Sequence, residues 1–175
     1  MMKRIARITL LLISVLAFAG CEGESLYSSY HARFIFDGNI HPYNQARSFG
    51  QFIAVRKGNN VGQYRLTDAQ GNTQTVNVPQ IHLQQGAFYY GLGGLLIGTP
   101  STYGDGNLIA YDWACPGCDI ARHRVEIDYV MWHATCPNCH TKFDLNSGGI
   151  PIEGQSRPLR QYRVFDSGAE VIVQN

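Results

Sequence analysis

The sequence is short of charge and of helical pattern, and both shortages exclude functions. Asp, Glu, Lys and Arg make up 15% of the 175 residues, and the net charge is +1. No basic cluster is interleaved with aromatics, so the electrostatic footprint of a nucleic-acid-binding protein is missing. No window holds a 3.6-residue period across three turns. Beyond the N-terminus there is no second hydrophobic span, and there is no internal repeat, low-complexity tract or long run of one charge sign. Motifs of common hydrolases are absent as well: there is no G-x-S-x-G, no H-E-x-x-H and no convincing pair of catalytic carboxylates. These absences point to electron transfer or binding rather than catalysis.

The N-terminus reads as a targeting segment. Lys3, Arg4 and Arg7 form a basic region, and Ile8 to Phe18 form an apolar stretch too short to span a bilayer comfortably. Small residues then precede Cys21 in Phe18-Ala19-Gly20-Cys21. This looks like a bacterial lipoprotein signal, which implies cleavage after residue 20 and a lipid on Cys21; an ordinary signal peptide with an incidental Cys21 is the alternative. The cysteine count agrees with the lipoprotein reading, because five cysteines is an odd number for an exported protein. Removing Lys3, Arg4 and Arg7 leaves 11 basic against 13 acidic residues, a net charge of −2. The expected organisation is a signal peptide over 1–20, a tether over 21–25 and one domain over 26–175. The expected location is the cell envelope, with the membrane as one partner, reached through the lipid, and a redox or protein partner that the sequence does not name.

Nearly everything after the tether reads as strand. Short β-type runs cover 32–36, 52–56, 61–66, 73–78, 107–113, 124–128, 129–134, 162–165 and 170–174, with a hairpin loop at 68–72. Nineteen glycines and eighteen Tyr and Phe residues argue for an all-β sandwich or barrel. The stretch Gly91 to Gly98 is read as a close-packed loop. It has no following helix and no Lys-Ser/Thr, so it is not a nucleotide loop.

The chemistry gathers between Asp112 and Val164. Cys115 and Cys118 form one C-x-x-C pair, Cys136 and Cys139 a second, with seventeen residues between them. That spacing is the C-x₂-C-x₁₅₋₂₀-C-x₂-C pattern of a four-cysteine zinc site. In a C-P-x-C turn the N–H groups of the third and fourth residues can point at the first sulfur and stabilise its charge. A left-handed residue often follows such a turn, and Asp119 and His140 stand at those positions. His140 could ligate in place of Cys139, although the turn favours the cysteine. His133 reads as a packing residue on a strand, and His31, His41, His82 and His123 have no chelating spacing. Tyr89, Tyr90 and Trp113 are expected as core or cover aromatics.

The run Cys136-Pro137-Asn138-Cys139-His140-Thr141-Lys142-Phe143-Asp144-Leu145, followed by Gly148-Gly149-Ile150-Pro151 and Arg157-Pro158-Leu159, resembles the second cluster-binding loop of a Rieske iron–sulfur domain. The likeness covers roughly residues 76–165. It implies a Rieske-like all-β fold with two metal-binding hairpin turns and a [2Fe–2S] cluster used for electron transfer. Cys139 stands where that family has a ligand His, and Cys118 most nearly replaces the other, so the implied ligand set is four cysteines.

Three chemistries therefore compete at Cys115, Cys118, Cys136 and Cys139. One is a [2Fe–2S] cluster with a lowered potential. The second is a closed Zn²⁺ site in a structural or binding protein. The third is disulfide pairing, which an oxidising compartment permits. The resemblance favours the first and the turn chemistry the second.

Overall fold

The computed structural model describes residues 30–84, 86, 88–101 and 106–175. The signal segment and Cys21 lie outside the described residues. Among the described residues thirteen strands form two antiparallel sheets. The larger has the order β4-β3-β2-β6-β7-β12-β13-β1-β5. Its strands are β1 (Ala32–Asp37), β2 (Phe52–Lys57), β3 (Gln63–Thr67), β4 (Thr73–Asn77), β5 (Tyr89–Tyr90), β6 (Leu95–Gly98), β7 (Ile109–Asp112), β12 (Gln161–Asp166) and β13 (Glu170–Gln174). The smaller has the order β11-β10-β9-β8, from β8 (Glu126–Asp128), β9 (His133–Thr135), β10 (Lys142–Asp144) and β11 (Ile150–Glu153). The one α-helix among the described residues, α1 (Gln80–Gln84), is five residues long. None of their helices is long and apolar enough to cross a membrane.

The all-β expectation holds, but among the described residues the larger sheet does not close into a barrel. It curls until its two ends share one core, with Phe34 and Phe36 of β1 and Val171 and Val173 of β13 packed against Ile53, Val55 and Tyr64 from the other end. The Phe34 and Tyr64 rings meet edge-on at 5.1 Å, an arrangement their quadrupoles favour. Closure would require β4 to meet β5. Residues of β4 are mostly exposed Thr, Gln and Asn, and β5 is two residues long.

Strand β6 corrects the loop reading of Gly91–Gly98. Leu95, Leu96 and Ile97 are all buried, and they alternate faces: Leu95 and Ile97 enter the first core, Leu96 a second one. A strand covered on both faces is apolar throughout and lacks the period-2 alternation that reveals a half-exposed strand. The span 129–134 is corrected too, because Tyr129 to Trp132 form the turn between β8 and β9. Asp128 Oδ1 accepts the N–H groups of Val130 and Met131 at 2.8 and 3.2 Å, which ends the strand there.

The second core lies between the larger and smaller sheets. Phe52, Ala54, Leu96 and Tyr111 from one side meet Ala134, Phe143 and Leu145 from the other, together with Cys115 and Cys136. Burying a side chain such as Phe143 contributes roughly 1.5–3 kcal/mol, so this packing fixes the small sheet, and the cysteine turns with it, against the large one.

Candidate metal centre

The two cysteine turns are built alike. β9 runs directly into Cys136, whose N–H donates to Thr141 O at 2.9 Å before β10 returns. After β7, Ala114 bridges to Arg124, and the Cys115 N–H donates to His123 O at 2.8 Å. Each turn closes on the carbonyl of its first cysteine, which accepts the N–H of Asp119 at 2.9 Å in one and of His140 at 2.9 Å in the other. Asp119 and His140 take left-handed backbone angles, φ 51° and 59°, as the sequence pattern predicts.

These turns bring all four thiols together. The four Sγ atoms lie within 4.8 Å of one another. Across the turns, Cys115 Sγ is 3.5 Å from Cys139 Sγ, and Cys118 Sγ is 3.7 Å from Cys136 Sγ. A disulfide needs about 2.05 Å; all four cysteines are free, so disulfide pairing is corrected. Cys115 and Cys136, the first of each pair, are buried, Cys118 is half-buried and Cys139 is exposed. One edge of the cluster therefore faces solvent.

The surroundings suit thiolates. Burial pushes the Cys115 thiol up, against the N–H groups of Cys118 and Gly117, which favour its charge. Those are the fourth and third residues of the turn. Burial also raises Cys118, opposed by Asn138, whose Nδ2 donates to its sulfur at 3.3 Å. At Cys139 burial acts upward too, but the Thr141 hydroxyl and N–H and the neighbouring thiols outweigh it and bring the group down to about 6. The Thr141 hydroxyl is 3.3 Å from that sulfur. Four thiols in contact cannot all ionise unaided, because each charge opposes the next; a cation among them removes that penalty. The donor set and its spacing therefore fit a metal ion.

Asp112 supports the first turn from beneath. Its Oδ1 accepts from Gly93 N at 3.0 Å and Ala114 N at 2.8 Å, and its Oδ2 from Leu92 N at 2.7 Å and the Tyr162 hydroxyl at 2.8 Å. One carboxylate thus joins β7, β12, the 91–94 turn and the residue before Cys115. Sequence reasoning missed it. Its signal was an acid ending the apolar run Ile109-Ala110-Tyr111, since a buried charge persists only with partners. Asn138, Thr141 and Asp119, which lies 4.0 Å from Arg157, were also missed as supports.

Other expectations divide. Trp113 is a cover aromatic: it packs on the metal-side core and donates Nε1 to Val125 O at 2.8 Å. Tyr90 joins the other core, and Tyr89 is half exposed. His140 is exposed, and the clustered donors are the four cysteines without it. His133 lies on β9. The chain matches no protein-family model and no curated protein.

Proposed function

We propose that this chain is a β-rich binding protein whose four cysteines hold a single tetrahedral Zn²⁺ ion, and that it works at the cell envelope from a lipid on Cys21. The metal reading is carried by the mutual approach of the four sulfurs, all within 4.8 Å. Metal–sulfur bonds of about 2.3 Å in a tetrahedron give sulfur–sulfur edges of about 3.8 Å. The close cross-turn pairs, at 3.5 and 3.7 Å, lie near that edge.

A two-iron cluster on the same thiolates seats two sulfurs on each iron, with bridging sulfides between. Sulfurs on opposite irons then stand further apart than one tetrahedral edge. The Rieske-like run from Cys136 to Leu159 supports that electron-transfer reading, while the sulfur spacing favours one ion. Four protein thiolates complete a tetrahedral shell and leave no open position for substrate, so the centre clasps the two turns rather than performing chemistry. The lipid anchor rests on the basic segment and on the small residues before Cys21.

Zinc, iron and acid-labile sulfide per chain, measured on anaerobically purified protein, test the metal reading. One zinc, no sulfide and no colour are expected. Iron with equimolar sulfide would establish the cluster instead, and one iron without sulfide a mononuclear iron centre.

A further inference from the structure

A cavity of about 700 Å³ opens between β2, β3, β5 and the 91–94 turn. This is a usual size for a small-molecule site, within roughly 300–1,000 Å³. Its lining contains no Asp or Glu but does contain Arg56, Lys57 and Arg124. Among the described residues no carboxylate forms an ion pair with any of the three. Leu83, Phe88 and Tyr90 supply an apolar and aromatic wall.

Arg124 is held in place, not merely displayed on a wet surface. Arg124 is half-buried, its Nε donates to Gly93 O at 2.6 Å, and its guanidinium lies 5.4 Å from the Trp113 ring centre. That uses one of the five N–H groups an arginine carries. Arg56, also half-buried, stands opposite Arg65 on β3, whose buried Nε has no hydrogen-bond partner. Burial, and then the charge of Arg56, push the pKa of Arg124 down against the opposing pull of the Asp112 carboxylate, so the two guanidiniums feel each other. Like charges held together at a half-buried site repel, and an anion between them relieves that repulsion. Guanidinium N–H pairs match the oxygens of carboxylate, sulfonate or phosphate.

We propose that this cavity binds an organic anion with an aromatic body, its acid group held by Arg56 and Arg124 and its ring against Phe88 and Tyr90. The site does not depend on which metal the cysteines hold. It does adjoin that centre, because Arg124 bridges to Ala114, the residue before Cys115.

The probe is 8-anilinonaphthalene-1-sulfonate, titrated into the purified protein and followed by fluorescence. N-phenyl-1-naphthylamine, which has the same rings without the sulfonate, is the neutral counterpart. One saturable site for the sulfonate is expected, with clearly tighter binding than for the neutral dye. Arg56→Gln with Lys57→Gln should weaken the sulfonate about tenfold or more, the loss expected of charge-assisted hydrogen bonds, and change the neutral dye less than about twofold. Leu83→Asp should weaken both dyes, while Val130→Ser, on the exposed β8–β9 turn, should alter neither. Unchanged circular dichroism checks the fold of each variant. Non-saturable binding, equal affinity for the two dyes, or an Arg56/Lys57 variant that binds the sulfonate like wild type would each overturn the proposal.

Discussion

The Tyr162 hydroxyl donates a 2.8 Å hydrogen bond to Oδ2 of Asp112, joining β12 to the strand that leads into the first cysteine turn. Three backbone N–H groups complete the shell of that carboxylate. An amide in its place presents two N–H groups to these donors, whereas a carboxyl presents none when ionised and, when protonated, a single O–H that the Tyr162 hydroxyl oxygen can accept. Asp112→Asn should therefore cost about 2–3 kcal/mol, or roughly 5–10 °C in melting temperature for a domain of this size. A melting temperature within a degree of wild type would show that the shell contributes nothing.

The same residue gives a pH dependence with a definite sign. Burial raises the Asp112 pKa despite the four donors. The folded protein thus holds this proton more tightly than the unfolded chain, where Asp titrates at about 3.9. The stability contributed is complete below that unfolded value and is lost as pH rises through the higher folded one. The wild type's advantage over Asp112→Asn should accordingly widen as pH falls from neutral. Proton uptake by the cysteines is common to both proteins and cancels in the difference. A gap that narrows on acidification would reverse the assignment.

Gly93 tests the contact between the 91–94 turn and the first cysteine turn. A Cβ there would sit 2.5 Å from Ala114 N and 2.8 Å from Ala114 Cβ. Backbone cannot yield as a flexible side chain does, so Gly93→Ala should cost about 1–3 kcal/mol in a urea titration. An unchanged midpoint would mean that the turn shifts freely.

Changing any of Cys115, Cys118, Cys136 or Cys139 to Ser should remove most of the bound metal and destabilise the protein to a similar, large extent. Metal-binding free energy contributes to folding, and the unfolded chain has no preformed site. His140→Ala should keep full metal content, because His140 shapes the turn and lies outside the donor set. Metal loss in the His140 variant equal to that in Cys139→Ser would make the histidine a ligand.

Cys21→Ser addresses the anchor. Membrane fractionation should find this variant released, with the parent protein retained by a lipid. Retention of the variant would remove the lipoprotein reading.

The cysteine cluster was legible because metal-ligand spacing is local: two C-x-x-C turns announce themselves, and the left-handed Asp119 and His140 follow from the same turn chemistry. The hairpin loop at 68–72 was equally local, with Asp68 accepting the N–H groups of Gln70 and Asn72. Strand β6 was hidden because burial on both faces erases alternation, and glycines at each end suggest a loop. β10 and β11 were hidden by their brevity and by the glycine turn between them. Asp112 was hidden for another reason: three of its four partners, Leu92, Gly93 and Tyr162, come from segments far apart in sequence, and no window contains them.

The two cores occupy opposite faces of the shared strands β2, β6 and β7, and Cys115, Cys118 and Cys136 all belong to the second of them. Removal of the proposed metal should therefore loosen a separate cooperative unit instead of the whole molecule. Amide hydrogen exchange would register this as accelerated exchange along β8 to β11, while β1, β12 and β13 keep their protection. Heating the stripped protein would then give two transitions where the loaded protein gives one.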